Sequence, residues 1–254
     1  MKKIFITGVS SGIGKELAIE YAKRGCLLGI AARRSDLLNE ISRDCNNLGA
    51  KTLVYQLDVQ DRDKCEIVVK DFLGKSGGID CVIANAGIGG DDNLFSGSSK
   101  NINNILNTNI HGVTNTLMPF IPLMKAQNHG SLVCVSSVAS YMPLPFHAGY
   151  ASSKIAIRRI FDSWRPSLQK YNINLVSICP GFIDTPMVKG PARNFPLKEA
   201  NEAAIKFIYA IENGKNNYVY PKYYYLLIWL FTLTPMWFYN WFIKKCFQGH
   251  LIKK

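Results

Sequence analysis

The sequence predicts an α/β fold in which a doubly wound parallel sheet of seven strands lies between two layers of helices, as a three-layer sandwich. Two observations carry this prediction. From Lys3 to about Tyr220, short β-branched or apolar runs alternate with longer segments of helical period, which is typical of βαβ units. The chain also has 254 residues, of which 48% are hydrophobic and 19% charged, so it can bury the core of one large domain and is not a disordered scaffold.

The predicted strands and helices follow each other in alternation along the chain. We predict strands at Lys3–Thr7, Cys26–Ala31, Thr52–Gln56, Asp80–Ala84, Ser131–Ser136, Asn174–Ile178 and Tyr218–Tyr220. We predict helices at Gly12–Arg24, Ser35–Leu48, Arg62–Lys75, Asn101–Ala126, Tyr150–Lys170 and Lys198–Glu212. Because parallel strands end at the same edge of a sheet, ligand sites are expected at that edge. We expect one domain over residues 1–220 and a tail over residues 221–254.

The first predicted strand runs directly into a glycine-rich turn, Thr7-Gly8-Val9-Ser10-Ser11-Gly12-Ile13-Gly14, and a helix follows. Glycines here permit a tight turn and let the backbone approach a pyrophosphate, while the helix N-terminus presents free N–H groups to phosphates. Three glycines alone also fit an ordinary turn, but after the first strand of a βαβ series they predict a dinucleotide cofactor. The predicted contacts are Gly8, Ser10, Ser11, Gly12, Ile13 and Gly14.

The end of the second strand indicates which dinucleotide binds. An NAD site normally places a carboxylate there for the ribose 2′-hydroxyl, but this chain has Ala31-Ala32-Arg33-Arg34. Because no acid repels a 2′-phosphate and a guanidinium can pair with one, we predict that NADP(H) is preferred over NAD(H), with Arg33 and Arg34 as contacts. Alternatively, one or both arginines are solvated residues at a helix start, and Arg34 fits this alternative better than Arg33.

Residues after the third and fourth strands are further candidate contacts. Asp58, in Leu57-Asp58-Val59, can accept a hydrogen bond from adenine or cap a helix. Asn85-Ala86-Gly87 can let the chain pass beside a bound cofactor or form an ordinary turn. The cofactor contacts predicted here are Asp58, Val59, Asn85, Ala86 and Gly87.

Four polar residues indicate proton transfer to or from a carbonyl or alcohol oxygen. Tyr150 and Lys154 are four residues apart at a predicted helix start, so they share a face, and the ammonium is expected to lower the pKa of the phenol. Ser137, just past the fifth strand, can donate a hydrogen bond to the same oxygen. Asn109 can hold a water that relays protons to Lys154, or it is a satisfied core amide. Each feature alone also occurs by chance.

In order and spacing these motifs resemble the classical short-chain dehydrogenases/reductases. The resemblance covers residues 3 to about 220, and its motifs are Thr-Gly-x-x-x-Gly-x-Gly at Thr7–Gly14, Asn-Ala-Gly at Asn85–Gly87, Ser137 thirteen residues before Tyr150, Tyr-x-x-x-Lys at Tyr150–Lys154, and Pro180-Gly181 followed by Thr185. It implies a Rossmann-type fold and a catalytic tetrad of Asn109, Ser137, Tyr150 and Lys154, with Ser137 and Tyr150 at the substrate. Further cofactor contacts implied are Tyr150, Lys154, Pro180, Gly181, Ile183 and Thr185.

Two positions depart from the family pattern. Ala84 stands where many members have a second Asn. Ser11 stands at a loop position where some NADP-preferring members carry a basic residue, so Arg33 would have to act without that helper. The resemblance also implies subunit pairing through the helices that hold Asn109 and Tyr150, and we therefore expect a homodimer or homotetramer.

The resemblance and the local sequence together predict an oxidoreductase that transfers hydride between NADP(H) and a lipophilic ketone, aldehyde or secondary alcohol, with Tyr150 as acid and base. Val138–Phe146 is an apolar segment before Tyr150, and Met187–Pro196 matches the family's mobile substrate loop. Alternatively, these residues only pack against each other. The alternative function is a catalytically idle dinucleotide-binding sensor or scaffold recruited to membranes.

The net charge and the distribution of cysteines limit which partners and which cellular compartment we expect. The net charge is +12, and seven scattered cysteines include no Cys-x-x-Cys pair and no metal-ligand spacing. No apolar stretch of signal-peptide length precedes Gly8, so we expect a cytoplasmic protein with reduced, mostly buried thiols and no metal. No nucleic-acid motif occurs, and we expect the excess charge to serve cofactor and lipid.

The composition changes after Glu212. The last 42 residues contain no Asp or Glu, six Lys and 13 of the 29 aromatic residues. Tyr223–Ile243 has the length and apolar content of a membrane span, but Pro235 divides it into halves too short to cross, and Tyr and Trp dominate it. Lysines flank both ends, at Lys215, Lys222, Lys244, Lys245, Lys253 and Lys254.

The second half of this tail has two faces. Asn240, Lys244 and Gln248 recur every four residues, and Trp237, Phe238, Trp241 and Phe242 lie largely opposite them. We therefore predict an anchor that lies on a membrane surface. A true span, and a cover over the substrate pocket or a dimer interface, are the alternatives.

Overall fold

Seven parallel strands form one sheet in the computed structural model, which describes residues 1–251. The strands are β1 Lys3–Thr7, β2 Leu27–Ala32, β3 Lys51–Gln56, β4 Cys81–Ala84, β5 Gly130–Val135, β6 Ile173–Pro180 and β7 Asn217–Tyr220. Their order is β3-β2-β1-β4-β5-β6-β7, which confirms the predicted doubly wound α/β fold. The order reverses between β1 and β4, and a ligand crevice is expected at the carboxyl ends of these two strands.

Helices cover both faces of the sheet. They are α1 Gly12–Ala22, α2 Ser35–Asn47, α3 Arg62–Ser76, α4 Lys100–Leu106, α5 Gly112–Leu117, α6 Ile121–Gln127, α7 Ala148–Gln169, α8 Ala200–Glu212, α9 Tyr224–Leu233 and α10 Met236–Leu251. The predicted Lys253 and Lys254 flank lies outside the described residues, as do the side chains of Phe242, Cys246 and Gln248.

The alternation of side chains along the strands divides the core into two layers. Ile4 and Ile6 of β1 are buried on the face covered by α1, α2 and α8, whereas Phe5 is buried on the face covered by α3, α5 and α7. The Phe5 ring lies 5.3 Å from that of Phe72 and 5.2 Å from that of Phe120, centroid to centroid. Because both faces of the sheet are covered, the inner strands β2 and β4 are continuous apolar runs and are fully buried.

The predicted helix over Asn101–Ala126 is confirmed in extent, but it is not a regular α-helix. The structure has α4, a π-helical turn at Asn107–His111, α5, a 3-10 turn and then α6 over this stretch. Pro119 and Pro122 have no N–H to donate, so the regular hydrogen-bond ladder is interrupted there. The π turn contains Asn109 and changes the direction in which its side chain points.

The C-terminal tail forms α9 and α10, which Pro235 separates as predicted. Tyr224 and Ile228 are buried against Cys179 and Val219 of the sheet. Within the described part of the chain, no single helix has the length and apolar content needed to cross a membrane. Tyr224–Leu233 and Met236–Lys245 reach that length and composition only as a pair, bent by 109°.

Candidate active site

The glycine turn after β1 is a shallow cradle with no room for side chains. Gly8 and Gly12 have φ values of 72° and 59°, the left-handed region that favours glycine. A Cβ on Gly8 would lie 2.7 Å from the Cα of Ala86, and one on Gly14 would collide with the Asn85 amide and the Gly8 carbonyl. Ser11, at the N-cap of α1, accepts no hydrogen bond from the helix's own N–H groups, so these can receive a phosphate.

Asn85-Ala86-Gly87 holds this cradle in place from β4. The Asn85 side chain donates hydrogen bonds to the carbonyls of Thr7 and Gly8, at 3.0 and 3.1 Å. The N–H groups of Asn85 and Ala86 both donate to the Thr7 hydroxyl, at 3.2 Å. The segment therefore fixes the crevice between β1 and β4, and its predicted direct contact with a cofactor remains a prediction.

The two arginines after β2 differ in their contacts. Arg34 donates to the hydroxyls of Ser10 and Ser11, its Nη2 lying 2.7 and 3.0 Å from the two oxygens. Arg33 is exposed and lies 3.8 Å from the Asp58 carboxylate. Arg34 starts α2, as the alternative expected, but it is also the arginine bound to the glycine turn. Both guanidinium groups and both serine hydroxyls thus border one polar corner of the crevice.

Asp58 and Val59 lie beside this corner with different surroundings. Asp58 accepts the N–H of Gln60 at 3.0 Å and does not cap α3, because Asp61 does so by accepting the N–H of Lys64. The alternative of a helix cap is therefore wrong for Asp58. Val59 is buried, and its side chain packs so closely on Gly112 that a Cβ there would lie 2.5 Å from it.

Ser137 and Tyr150 meet at the carboxyl end of β5. The Ser137 hydroxyl lies beside the Tyr150 phenol, close enough to influence its pKa. It accepts the N–H of Ala139 at 3.1 Å, which fixes its rotamer. Burial raises the pKa of Tyr150 above its usual value, and the neighbouring Ser137 hydroxyl partly offsets this rise. The two hydroxyls are therefore placed to bind one substrate oxygen.

Lys154 lies one turn along α7 from Tyr150 and is buried. Its ammonium donates to the Val135 carbonyl at 2.8 Å and lies 5.7 Å from the centre of the Tyr150 ring. Burial lowers the pKa of Lys154 to about 8. The expected lowering of the Tyr150 pKa is wrong for the chain by itself, because the ammonium is held on a carbonyl and desolvation of the phenol dominates.

Asn109 is fully buried in the π turn. Its Oδ1 accepts the N–H of Ile88 at 2.9 Å, and its Nδ2 donates to the Ile88 carbonyl and the Ser153 hydroxyl at 2.9 and 3.0 Å. This is the satisfied core amide that the sequence left open as an alternative. A Cβ on Gly87 would lie 3.1 Å from Asn109 Oδ1 and 3.3 Å from Lys154 Nζ, so the three groups are close neighbours.

The segment after β6 closes the crevice from the other side. Thr185 packs on the glycine turn, since a Cβ on Gly12 would lie 3.1 Å from its methyl group. Ile183 is buried and forms an isolated bridge with Lys198. Pro180 accepts a hydrogen bond from Ser137 at its carbonyl, at 3.4 Å, and the Tyr224 ring lies directly against Gly181. The sequence did not predict this contact of the tail.

The predicted apolar substrate wall and the predicted substrate loop have different neighbours. Met187 and the Tyr150 ring both approach Gly89, at 3.8 and 3.9 Å from a Cβ placed there. Tyr141, in contrast, packs with Tyr224, and the Pro143 carbonyl accepts a hydrogen bond from the Tyr239 hydroxyl at 2.8 Å. The predicted wall therefore packs on the C-terminal helices, and it is Met187 of the predicted substrate loop that lies near the Tyr150 ring.

Cysteine and metal chemistry have no visible place in this site. Six of the seven cysteines are free and buried, and burial raises the pKa of Cys45 to about 11 and that of Cys65 to about 12. Within residues 1–251 no cluster of three or more His, Cys, Asp or Glu side chains could hold a metal ion.

Comparison with known proteins identifies the family. A model described as short chain dehydrogenase matches residues 2–194. The chain is 34% identical over 188 residues to 3-oxoacyl-(acyl-carrier-protein) reductase of Thermotoga maritima, covering 74% of this chain and 76% of that protein. It is 28% identical over 236 residues to estradiol 17-beta-dehydrogenase 11 of Mus musculus, covering 91% and 79% of the two chains.

Solved structures agree with these sequence relatives. An alcohol dehydrogenase from the archaeon Thermococcus sibiricus, complexed with 5-hydroxy-NADP, superposes with a TM-score of 0.76 at 27% identity, over 84% of this chain and 91% of that one. A short-chain type dehydrogenase/reductase from Mycobacterium marinum gives a TM-score of 0.80 at 25% identity, over 86% and 93%. The chain belongs to the short-chain dehydrogenase/reductase family, whose members are oxidoreductases that bind NAD(P)(H).

Proposed function

We propose that this protein is an NADP(H)-dependent oxidoreductase that interconverts a lipophilic ketone or aldehyde and the corresponding alcohol at the surface of a membrane. The observation that carries the reaction is the placement of Ser137 and Tyr150 side by side, next to Lys154, at the same sheet edge as the glycine cradle. A sensor that only bound a dinucleotide would have no use for this proton-transfer pair.

The residues of the chain divide the work of proton transfer among them. A bound NADP(H) would supply the hydride chemistry at the substrate carbon. Ser137 and Tyr150 hold the substrate oxygen, and the phenol gives it a proton in reduction or takes one in oxidation. The Lys154 ammonium stabilises the phenolate left after reduction, and it also binds the nicotinamide ribose. The buried Asn109 binds the Ile88 backbone and the hydroxyl of Ser153, the residue before Lys154.

The preference for NADP(H) rests on charge at the polar corner beside β2. Arg33 and Arg34 supply two positive charges there, and Ser10 and Ser11 supply hydroxyls. The carboxylate of Asp58 lies 3.8 Å from Arg33, which neutralises part of its repulsion of a phosphate. A guanidinium can bind a 2′-phosphate through two hydrogen bonds, and NAD(H) has no 2′-phosphate to accept them.

The location at a membrane rests on α9 and α10. Their outward side chains are large and exposed, among them Trp229, Leu233, Trp237 and Trp241. The last 42 residues carry six Lys and no acid, and Lys245 lies over the Trp241 ring at 5.3 Å from its centre. Exposed aromatic residues beside lysines fit an anionic lipid surface better than water or nucleic acid. We place the protein on the cytoplasmic side, as a homodimer or homotetramer.

A single comparison of cofactors tests the proposal. NADPH and NADH oxidation by the full chain is measured with ketones and aldehydes of increasing chain length and ring size. We expect rates that rise with lipophilicity and are much lower with NADH. Binding of NADPH without turnover of any of these carbonyls would favour the sensor instead.

Substitution of the two arginines tests the cofactor preference, with a third arginine as the control. Replacing both Arg33 and Arg34 with Ala should weaken NADPH binding by about 100-fold and leave NADH binding within about threefold, because charge-assisted bonds to the 2′-phosphate are lost. Arg43→Ala, on the exposed side of α2, removes the same charge away from the crevice and should leave both affinities unchanged. Equal losses for the two cofactors would contradict the NADP(H) assignment.

A further inference from the structure

The helix that carries Tyr150 and Lys154 is capped from a distant loop. At its start, α7 has no side-chain cap of its own, and its first turn contains no acidic residue. Asp92, which follows β4, supplies the missing group. Its Oδ1 accepts the N–H of Gly149 at 2.9 Å, and its Oδ2 accepts the N–H of Ala148 at 2.5 Å. The two residues that immediately precede Tyr150 are thus bound to one carboxylate.

This carboxylate is buried without a counter-ion. Asp92 is 7% exposed, and no Lys, Arg or His in the described chain forms an ion pair with it. A buried charge needs hydrogen bonds and a favourable potential. Here the two N–H groups and the positive end of α7 provide both. Without its contact to the start of α7, the buried Asp92 carboxylate would lack these hydrogen bonds, and its burial would cost free energy.

The side chains around Gly149 leave little space between the start of α7 and the loop that carries Asp92. A Cβ on Gly149 would lie 3.0 Å from Asp92 Oδ1 and 2.8 Å from the side chain of Ile102. Two further hydrogen bonds hold the same junction: the Asp92 N–H donates to the Phe146 carbonyl at 2.8 Å, and His147 Nδ1 lies 2.7 Å from the Gly90 carbonyl. The start of α7 therefore has little freedom to shift relative to this loop.

The other end of the same loop reaches the catalytic residues. Ile88 is bound through both its N–H and its carbonyl to Asn109, and Gly87 packs beside Lys154. The loop thus joins the π turn to the first turn of α7. A shift of that first turn would move the Tyr150 phenol relative to Ser137, while the glycine cradle on β1 and α1 would stay in place.

We propose that Asp92 is a positioning residue for the reaction: its carboxylate fixes the first turn of α7 so that the Tyr150 hydroxyl stays beside Ser137. This inference rests on the proposed oxidoreductase function and adds a residue to it that does not touch the substrate. It differs from a general stabilising role because it assigns the effect to the placement of one phenol.

The test compares two conservative variants with a matched control. Asp92→Asn keeps the shape of the side chain but replaces one carboxylate oxygen with an NH2 group, which cannot accept a hydrogen bond from the N–H of Ala148 or Gly149. Asp92→Glu keeps the charge but moves the carboxylate by one methylene. Asp61→Asn weakens an equivalent cap on α3, where Asp61 accepts the N–H of Lys64 at 3.0 Å and no proposed site residue lies on the helix.

We expect kcat to fall about 10- to 100-fold in both Asp92 variants, because a misplacement of about 1 Å costs that much in a positioned reaction. The Kd for NADPH and the KM for the carbonyl should stay within about twofold, and Asp61→Asn should keep its kcat. A kcat within twofold of wild type in the Asp92 variants would overturn the proposal. So would a parallel loss of NADPH affinity, or an equal loss of kcat in Asp61→Asn.

Amide hydrogen exchange separates this proposal from the proposed function. In Asp92→Asn, the amides of Ala148 and Gly149 should exchange at least tenfold faster, while those of α1 stay unchanged. Unchanged exchange at these two amides would overturn the positioning role. A wild-type protein that turns over no carbonyl would instead refute the oxidoreductase function, and the exchange measurement would still decide whether Asp92 fixes α7.

Discussion

The carboxyl edge of the sheet and the C-terminal helices depart from ordinary burial in opposite directions. At the edge, polar side chains are buried: Asn109 is 0% exposed, Lys154 4% and Ser137 8%. On the helices, large apolar side chains are exposed: Trp237 is 72% exposed and Leu233 62%. Folding alone favours neither arrangement, since buried polar groups must find partners and exposed apolar groups lose the hydrophobic gain.

The difference shows which of the two regions is complete by itself. Every buried polar group named at the sheet edge has a hydrogen-bond partner within the chain, so this region needs only cofactor and substrate. The outward apolar side chains of α9 and α10 that the structure describes, among them Trp229 and Trp237, are exposed, although Tyr224 and Ile228 bury the inner face of α9. The outer faces therefore need a second surface, which we propose to be lipid.

The largest effect is expected at the edge of the sheet. Tyr150→Phe removes the proton donor and should lower kcat by about 100- to 10,000-fold, because general acid catalysis contributes that much. NADPH binding, measured by fluorescence titration, should remain within about twofold. Tyr171→Phe, on the turn after α7, is the control and should keep full activity. Turnover that survives in Tyr150→Phe would refute the assigned mechanism.

The second effect concerns the C-terminal helices. Trp237→Ser with Trp241→Ser removes two exposed aromatic side chains and should weaken binding to vesicles that contain anionic lipid by about 100-fold, since burying a large apolar side chain contributes about 1.5–3 kcal/mol. Activity on a water-soluble carbonyl should stay unchanged. The matched control is Ile67→Ser, an equally exposed apolar residue on α3.

Vesicle sedimentation and size-exclusion chromatography together decide the outcome for the helices. If the double variant binds vesicles as well as wild type does, the membrane proposal is wrong. If it instead changes from an oligomer to a monomer while wild type ignores vesicles, the outer faces of α9 and α10 are a subunit interface.

The smallest effect concerns pH. Burial lowers the pKa of Lys154 to about 8 and raises that of Tyr150, so in the free protein the ammonium loses its proton before the phenol does. Below pH 8 the ammonium is charged and supports the phenolate formed in reduction. We therefore expect kcat/KM for reduction to be constant at lower pH and to fall about tenfold per pH unit above 8. A profile that stays flat to pH 10 would contradict this role of Lys154.

Much of the fold and of the candidate site could be predicted because the evidence is local. The period of the apolar residues distinguishes strands from helices. Gly8, Gly12 and Gly14 occur where only glycine fits, so the sequence itself marks the turn that they form. Tyr150 and Lys154 are one helical turn apart, which placed them together in advance. The π turn after Leu106 was not predicted, because such a turn has no composition of its own.

Other parts of the site depend on contacts between residues far apart in the chain. That Arg34, and not only Arg33, reaches the glycine turn depends on how α2 packs beside β1. The contacts of Asp92 with Gly149 and of Tyr224 with Gly181 join residues 57 and 43 positions apart, and no spacing rule indicates them. Likewise, whether the pKa of Tyr150 is raised or lowered depends on the burial of its phenol, which the spacing from Lys154 in the sequence does not reveal.

The sequence by itself determined the α/β class, the family motifs and the aromatic, acid-free tail, because each depends on residue type at short spacing. Only the tertiary structure decided which arginine binds the turn, which carboxylate caps the catalytic helix and which face of the tail is buried. Those features depend on free-energy differences between whole packed arrangements, in which desolvation and long-range hydrogen bonds outweigh local preference.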